Sequence, residues 1–298
     1  MGTSKLDIKT SVTIVKMLVE GSSMRSISRI TGVSINTVTK LLEDAGKACA
    51  AYHDVTVRNV KAQQVQCDEI WSFVYAKDKN VGEAKAAPNV AGDLWTWTAI
   101  DRDSKMILAF EVGDRSAETA REFMFDLADR LANRVPLTTD GHGACLKAVS
   151  DAFAADIDYA MLIKLYGELT GAKGHERKYS PAVCTGAKKE PIFGEPDLAM
   201  ISTSHVERQN LTMRMRMRRF TRLTNGFSKK LENHLHMLSL YFVHYNFVRF
   251  HKSLRITPAM AAGVTDTLHD VAWLVEVIDA AAPAPKPRGP YRKEDNSN

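Results

Sequence analysis

Three acidic residues that lie far apart in the chain have the types and settings that phosphoryl-transfer chemistry requires. Asp68 stands in the strand-like run Val-Gln-Cys-Asp-Glu-Ile-Trp, Asp140 ends the run Val-Pro-Leu-Thr-Thr-Asp, and Glu207 opens a helix-like run. Carboxylates from separate elements can together hold two Mg²⁺ ions, which clamp the attacking and leaving oxygens of a phosphoryl transfer. If the three converge, the protein cuts or joins nucleic acid.

Each of the three residues also has a structural explanation that needs no chemistry. Asp68 could be an exposed strand residue, although an unpaired charge buried among its apolar neighbours would be costly. Asp140 precedes glycine, and Asp-Gly is common in turns. Ser204-x-x-Glu207 fits a capping box, in which Glu207 bonds back to the start of its own helix. These alternatives stay open on the sequence alone.

Neighbouring acids are weaker candidates. Glu69 follows Asp68 on a predicted strand, where successive side chains alternate, so we expect it to face the other way. Asp101 and Asp103 fall in a predicted hairpin loop. Two acids in a poorly patterned segment are fallback candidates if Glu207 is only a cap, namely Glu190 and Glu195.

Composition is that of a globular chain of about two domains, with 298 residues, 45% of them hydrophobic and 25% charged. The four cysteines are scattered without a Cys-x-x-Cys pair, which argues against a structural zinc site. No run is long and apolar enough to predict a membrane span, and we expect a cytoplasmic protein without a membrane partner. The net charge is only +5, but the segment 213–222 carries five arginines, a density typical of phosphate binding.

Periodicity predicts an α/β fold between residues 65 and 227. Alternating apolar residues indicate strands at 65–75, 94–100, 106–112, 135–139 and 159–165, with helices at 117–133 and 144–153. Hairpin-joined strands followed by βαβ units predict one mixed sheet flanked by helices, with the first strand beside the strand that ends at Asp140. Residues 166–203 are expected to be a long loop insertion, and 204–222 a helix.

The flanking regions are predicted to be helical. Residues 1–47 fit a helix-turn-helix domain, with helices at about 11–20, 23–31 and 35–46 and a Gly-Val-Ser turn between the last two. This pattern would point Asn36, Thr37 and Lys40 toward a DNA groove, beside the predicted N-cap Ser34. Residues 48–64 are expected to be a linker or a connecting helix, and 228–279 a C-terminal helical region. A Pro/Ala-rich tail at 280–298 is expected to be disordered.

With these motifs in place, the chain resembles the DDE transposases, and more narrowly those of the insertion sequence 1 family. The resemblance rests on Asp68-Glu-Ile-Trp-Ser-Phe-Val, Thr139-Asp-Gly, His205-Val-Glu-Arg-Gln-Asn and Tyr245-Asn-Phe-Val-Arg-Phe-His-Lys-Ser-Leu, the last followed by Thr257-Pro-Ala. It spans about residues 66–263. The family's first-described members carry a cysteine-rich zinc module where this chain has its predicted helix-turn-helix, so the resemblance is weaker for recognition of the element ends.

The resemblance implies an RNase H-like fold with a mixed five-stranded sheet and a two-metal site. Asp68, Asp140 and Glu207 would be the catalytic and metal-binding triad for two Mg²⁺ (or Mn²⁺) ions. Double-stranded DNA would be the partner, as terminal inverted repeats and as target, held by a homodimer or higher oligomer. Predicted DNA contacts are Ser34, Asn36, Thr37, Lys40, Arg208, Arg214, Arg216, Arg218, Arg219 and Arg222. Two histidines are possible auxiliary residues, His142 and His205.

Two other functions remain open on this sequence. One is a transposase-derived DNA-binding regulator without catalysis, against which the intact triad argues. The other is a stand-alone RNase H-like nuclease, which would need neither a helix-turn-helix nor the Tyr-Asn…Thr-Pro-Ala segment.

Overall fold

The protein is an α/β structure built around one mixed six-stranded sheet with helices against it. The computed structural model describes residues 6–154, 156–167, 183–221 and 224–282. The strands are β1 Val65–Val74, β2 Gly92–Asp101, β3 Ile107–Gly113, β4 Pro136–Asp140, β5 Asp158–Gly167 and β6 Val183–Phe193. The helices are α1 Ile8–Val19, α2 Met24–Thr31, α3 Ile35–Thr56, α4 Asp78–Val81, α5 Ala117–Arg130, α6 Ala144–Phe153, α7 Ser204–Arg216, α8 Leu231–Val243, α9 Pro258–Ala261 and α10 Val271–Ala280.

The sheet brings distant parts of the chain side by side, in the order β3-β2-β1-β4-β5-β6. β1, β2 and β3 form an antiparallel meander, whereas β4 runs parallel to both β1 and β5. The prediction that the first strand neighbours the strand ending at Asp140 is therefore confirmed. Because β1 and β4 are parallel, their carboxyl-terminal halves lie at the same edge of the sheet.

The prediction that residues 166–203 form a loop is wrong for 166–167 and 183–193, which are strand, while residues 168–182 lie outside the described part of the chain. Val183–Phe193 is a sixth strand that pairs antiparallel with β5, from Gly167↔Val183 to Tyr159↔Phe193. Its sequence, Val-Cys-Thr-Gly-Ala-Lys-Lys-Glu-Pro-Ile-Phe, lacks the alternation of a half-buried strand, because several of its residues on both faces are exposed. Backbone pairing with β5, rather than burial, defines this strand.

The N-terminal helices pack onto the rest of the molecule through one continuous hydrophobic cluster. α2 ends at Gly32, whose φ of +71° suits the left-handed helix cap, and Ser34 begins α3 by accepting the Asn36 N–H. Ile27, Val38 and Leu42 are buried in this cluster, whereas Ile30 of α2 is 70% exposed.

α3 is longer than predicted and connects the N-terminal region to the sheet. It continues to Thr56, which agrees with the connecting-helix alternative for residues 48–64. Gly46 lets α3 approach α8 closely, since a Cβ there would lie 2.3 Å from the His236 Cα. Further along, the buried His53 ring packs edge-on against Phe110 of β3. Whether 1–47 folds as a separate domain stays a prediction.

The C-terminal helices form internal packing rather than a free apolar face. Leu238, Phe242 and Tyr245 are buried, whereas Leu235 is 36% exposed. α8 continues into a π-helical turn at His244–Val248. Among the described residues, no helix is long and apolar enough to cross a membrane. The predicted tail lies outside the described residues from 283 onward, while Ala280 ends α10.

The helix predicted at 204–222 ends early. α7 stops at Arg216, Met217 is extended, and a short 3₁₀ turn covers Arg218–Phe220. The chain turns at this point to bury Phe220 edge-on against the ring of His234, at 5.4 Å between centroids. The arginines after this break are therefore not a continuation of one helical face.

His234 gives the protein a testable pH dependence of stability. Its ring is fully buried, neither ring nitrogen bonds to a described residue, and burial lowers its pKa to about 3, with nearby Arg219 adding to the effect. The unfolded chain therefore binds a proton between about pH 6.5 and 3 that the folded protein does not, and stability falls as the pH falls through that window. We expect the stability of His234→Leu relative to wild type to rise by roughly 1.6 kcal/mol as the pH falls from 6.5 to 5, with a slope that approaches about 1.4 kcal/mol per pH unit. Urea titrations at the two pH values measure this. Burial also lowers the pKa of His269, but this residue is less buried, so the relative stability of the control His269→Leu should change much less. Parallel losses in wild type and His234→Leu would contradict the prediction.

Candidate metal centre

Three carboxylates meet where β1 and β4 run side by side. Asp68 and Glu69 come from β1 and Asp140 from the last position of β4, and one carboxylate oxygen of each lies within 4.8 Å of the others. All three residues are partly buried, and the Glu69 side chain is only 3% exposed. Asp140 accepts the His142 backbone N–H at 3.0 Å, which fixes its carboxylate at the turn after β4. Three carboxylate oxygens this close are a possible cation-binding group.

The expectation that Glu69 faces away from the other acids is wrong. Alternation along β1 does hold, since Ile70, Ser72 and Val74 are buried while Glu69, Trp71 and Phe73 are only partly so. The parallel pairing of β1 with β4, however, ends at Gln66↔Thr138. Beyond that point β1 no longer pairs with β4. Side chains from both faces of β1 can therefore reach Asp140 at the end of β4.

Arg115 partly balances this cluster. Its guanidinium is ion-paired with Glu69 and lies 4.7 Å from the centre of the Trp95 ring. Arg115 stands between β3 and α5, one residue before the N-cap Ser116. Nothing in its local sequence distinguishes it from other loop arginines, so sequence reasoning missed it.

Glu207 faces the same space from the opposite side. A cleft of about 430 Å³ is lined by Asp68, Asp140 and Glu207, with Arg115 and Lys164 at its walls. Glu207 is not among the three acids that lie within 4.8 Å of one another. Its carboxylate instead pairs with Lys164 Nζ at 2.5 Å and accepts from the Thr203 hydroxyl.

The capping-box explanation of Glu207 is wrong. The N-cap of α7 is Thr203, and the Ser204 N–H donates to Ser202 Oγ at 3.2 Å rather than to Glu207. Glu207 is therefore one position too far along the helix to close a capping box. Its side chain points toward the cleft, where the triad prediction needs it.

Asn210 links α7 directly to the acidic cluster. Its Nδ2 donates to Asp68 Oδ2 at 2.9 Å, and its Oδ1 is buried without a hydrogen-bond partner among the described residues. Asn210 lies three residues after Glu207, so both side chains project from the same face of α7. Sequence reasoning quoted this residue within a motif but gave it no role.

The electrostatics of the cluster favour a bound cation. Burial, followed by the nearby charge of Asp140, raises the pKa of Asp68 to about 7. Burial and then Asp140 also raise the pKa of Glu69 to about 7, against the opposing effect of Arg115. The ligand atoms are all oxygen, which suits Mg²⁺ or Mn²⁺ rather than zinc. The unpaired Asn210 Oδ1 adds a further oxygen beside Asp68, so the residues present fit such an ion.

The two candidate auxiliary histidines are placed differently. His142 lines the cleft, with its ring 5.6 Å from Trp97 and its Nε2 3.2 Å from the Arg115 carbonyl oxygen. His205 does not line it: its Nδ1 lies 3.1 Å from Lys105 Nζ, and its backbone N–H donates to Gln66 Oε1. Burial, followed by the charge of Lys105, lowers the pKa of His205. The structure thus leaves only His142 beside the acids.

The predicted DNA contacts of the N-terminal region lie at the start of α3. Ser34, Asn36 and Lys40 are exposed, while Thr37 is partly buried. Lys40 forms an ion pair with Asp44 one turn later, and its side chain remains 62% exposed. Three of the four residues are thus accessible to a ligand.

The predicted arginine contacts divide into two groups. Arg208, Arg214 and Arg218 are exposed. Arg216 is ion-paired with Glu20 of the N-terminal region. The Arg219 guanidinium points inward, donating to Ser228 Oγ at 2.9 Å and to the Asn233 carbonyl at 2.7 Å, and burial lowers its pKa to about 10. Because the Arg219 guanidinium is bonded inside the fold, it is not placed to contact DNA as predicted. The last predicted contact, Arg222, lies outside the described residues.

Comparison with models of known protein families gave no match, and comparison with curated protein sequences gave none either.

Proposed function

We propose that the protein is a DNA transposase of the DDE type, with an RNase H-like catalytic unit and an N-terminal helix-turn-helix. It would cut DNA at the ends of an insertion sequence and join the freed 3′-hydroxyl to target DNA by metal-dependent phosphoryl transfer. One observation carries the proposal: carboxylates from β1 and β4 converge, and α7 crosses them with Glu207 lining the same cleft and Asn210 bonded to Asp68.

The chemistry follows from the oxygen ligands of the cleft. A pair of Mg²⁺ or Mn²⁺ ions, when bound, activates the attacking oxygen and neutralises charge on the phosphate. Asp68 and Asp140 would hold both ions, and Glu207 would complete the set from α7. Asn210 fixes the orientation of the Asp68 carboxylate, which a metal ligand needs. Lys164 and Arg115 supply positive charge at the walls of the cleft, where a phosphodiester would lie.

DNA recognition is assigned to the N-terminal helices and α7. Ser34, Asn36 and Lys40 present donors and acceptors at the exposed start of α3, the position from which a recognition helix reads bases. Arg208, Arg214 and Arg218 would contact phosphates, which fix position without reading sequence. Because two DNA ends must be held together, a homodimer or larger assembly on DNA is part of the proposal.

A strand-cleavage and joining assay tests this function. Labelled duplexes from the two flanks of the protein's own gene are incubated with protein and Mg²⁺ or Mn²⁺, and products are scored for new 3′-hydroxyl ends and for joining to a plasmid. We expect Asp68→Asn and Glu207→Gln to lower cleavage by roughly 10³-fold, since a metal site contributes several kcal/mol of transition-state stabilisation. The matched control is Asp103→Asn, an exposed acid outside the cleft, which should cut like wild type.

Each failure of this assay has a distinct meaning. Specific binding without cleavage by wild type would support a DNA-binding regulator instead. Cleavage without joining, and without preference for the flanking sequences, would support a stand-alone nuclease. Undiminished cleavage by Asp68→Asn would show that these carboxylates are not the metal ligands.

A further inference from the structure

A second concave surface, here called the basic groove, lies at the far end of α7 from the acidic cleft. It has a volume of about 920 Å³. One wall is the turn between α1 and α2 with the start of α2, and the other is formed by residues 216–219 and 225–230. Neither the proposed metal-dependent reaction nor the predicted DNA contacts at the start of α3 explain the presence of this groove.

The charge of the basic groove is entirely of one sign. Six cationic side chains line it and, among the described residues, no carboxylate does; the six are Arg25, Arg216, Arg218, Arg219, Lys229 and Lys230. Two of them are already engaged, because Arg216 pairs with Glu20 and Arg219 donates inward. The α2 N-terminus, capped by Ser23, adds the positive end of a helix dipole to the same wall.

The four remaining cations are available to a ligand. Arg25, Arg218, Lys229 and Lys230 are all exposed, and within the described ranges none of them forms an ion pair. Four like charges along an open groove repel one another unless an anion neutralises them. At about 920 Å³ the groove is much larger than one small anion, which favours a polymer of phosphates.

The position of the groove relative to the acidic cleft sets a spacing. Glu207 lines the cleft and Arg216 lines the groove, and both belong to α7. Nine residues at 1.5 Å per residue separate them by about 14 Å along the helix axis. For a duplex that runs along α7, which is part of the proposal, an advance of about 3.4 Å per base pair makes this distance roughly four base pairs.

We propose that the basic groove binds the phosphodiester backbone of the same DNA whose scissile phosphate enters the acidic cleft, about four base pairs away from the cut. Arg25, Arg218, Lys229 and Lys230 make the contacts. Contacts in the groove hold the DNA so that the reacting phosphate lies in the acidic cleft, although the groove residues do not touch that phosphate. The groove therefore affects the affinity for DNA and the position of the cut rather than the chemical step. This inference rests on the proposed function for the identity of the DNA.

The salt dependence of DNA binding tests the groove without requiring catalysis. Binding of a fluorescent duplex of about 20 base pairs is measured without metal over a range of salt concentrations, for wild type, Lys229→Ala/Lys230→Ala, and the control Lys9→Ala/Lys61→Ala. Each lost phosphate contact lowers the slope of log affinity against log salt by about 0.9. We expect the groove variant to lose about 2 from the slope and to bind roughly tenfold more weakly at about 0.1 M salt. The control removes the same charge from exposed lysines outside both concave surfaces and should keep a steeper slope.

A chemically modified duplex tests the spacing. Single methylphosphonates, which remove one phosphate charge, are moved along the strand away from the cleaved bond. Wild type should lose affinity most when the neutral linkage lies about four base pairs from the cut. The groove variant should lose little more at that position, because the same contact is already absent.

The outcomes separate the groove from the proposed function. An unchanged slope in the groove variant, or wild type that binds no duplex, would overturn the groove. Equal losses at every methylphosphonate position would overturn its spacing. Wild type that shows the predicted slopes but never cuts DNA would overturn the transposase and leave the groove as a nucleic-acid binding surface.

Discussion

Asp140→Asn is expected to abolish metal-dependent DNA cleavage and, at the same time, to make the metal-free protein more stable. The carboxylates of Asp68, Glu69 and Asp140 share one small space, and the pKa of Asp68 is raised to about 7 by burial and by Asp140. At pH 8 all three repel one another when no cation is present. Replacing one by its neutral isostere removes that repulsion at almost unchanged volume, which we expect to stabilise the metal-free fold by on the order of 1 kcal/mol.

The same substitution removes a ligand that both ions would share. We expect cleavage to fall by roughly 10³-fold or more, since several kcal/mol of transition-state stabilisation depend on the metal site. Thermal unfolding at pH 8 gives a second measurement: Mn²⁺ should raise the melting temperature of wild type and leave that of Asp140→Asn unchanged. Asp103→Asn, an exposed hairpin acid, is the control and should respond to Mn²⁺ like wild type. A destabilised variant that still binds Mn²⁺ would contradict the assignment.

The sheet edge that carries the site could be predicted because its signals are local. β1 alternates, β4 is a short apolar run closed by Asp-Gly, and the chain between them folds as a hairpin and a helix. From these alone, the parallel pairing of β1 with β4 follows, and with it the meeting of Asp68 and Asp140. β6 was missed for the opposite reason: it is an exposed strand defined by pairing with β5, and pairing leaves no periodic signal.

The surroundings of the acids depend on tertiary docking, which the sequence did not reveal. Glu69 joins the cluster only because the ladder between β1 and β4 stops early. Asn210 and Lys164 reach Asp68 and Glu207 only because α7 lies across the ends of two strands. Arg219 was predicted to contact DNA from its place in an arginine-rich run, yet the early end of α7 turns it inward. A charge run shows which residues are basic but not which of them face solvent.

Asn246, noted in the sequence only as part of the motif that begins at Tyr245, has a structural role in this fold. Asn246 is fully buried, and its amide bonds to both backbone groups of one residue of β3: Oδ1 accepts the Ile107 N–H at 2.9 Å, and Nδ2 donates to the Ile107 carbonyl at 2.8 Å. The pairing of β2 with β3 shifts register at this point, between Ala99 and Ile100. The side chain thus substitutes for a neighbouring strand where the β-ladder is irregular.

Asn246→Ala should therefore destabilise the protein by roughly 3 kcal/mol, because it leaves the buried Ile107 N–H without a partner, at about 1–3 kcal/mol, in addition to the lost contacts. The Ile107 carbonyl would keep only its contact with His53 Nε2 at 3.4 Å. The exposed Asn80→Ala serves as control and should change stability by no more than about 0.5 kcal/mol.

Asn246→Asp makes the test sharper. Its carboxylate can still accept from the Ile107 N–H but repels the Ile107 carbonyl, and burial should raise its pKa. Its destabilisation should be greatest at neutral pH and shrink as the pH falls and the protonated acid becomes a donor. Urea unfolding at pH 7.5 and 5 measures both variants. If Asn246→Asp and Asn246→Ala lose the same stability at both pH values, the two-bond contact with Ile107 does not hold the C-terminal helices to the sheet.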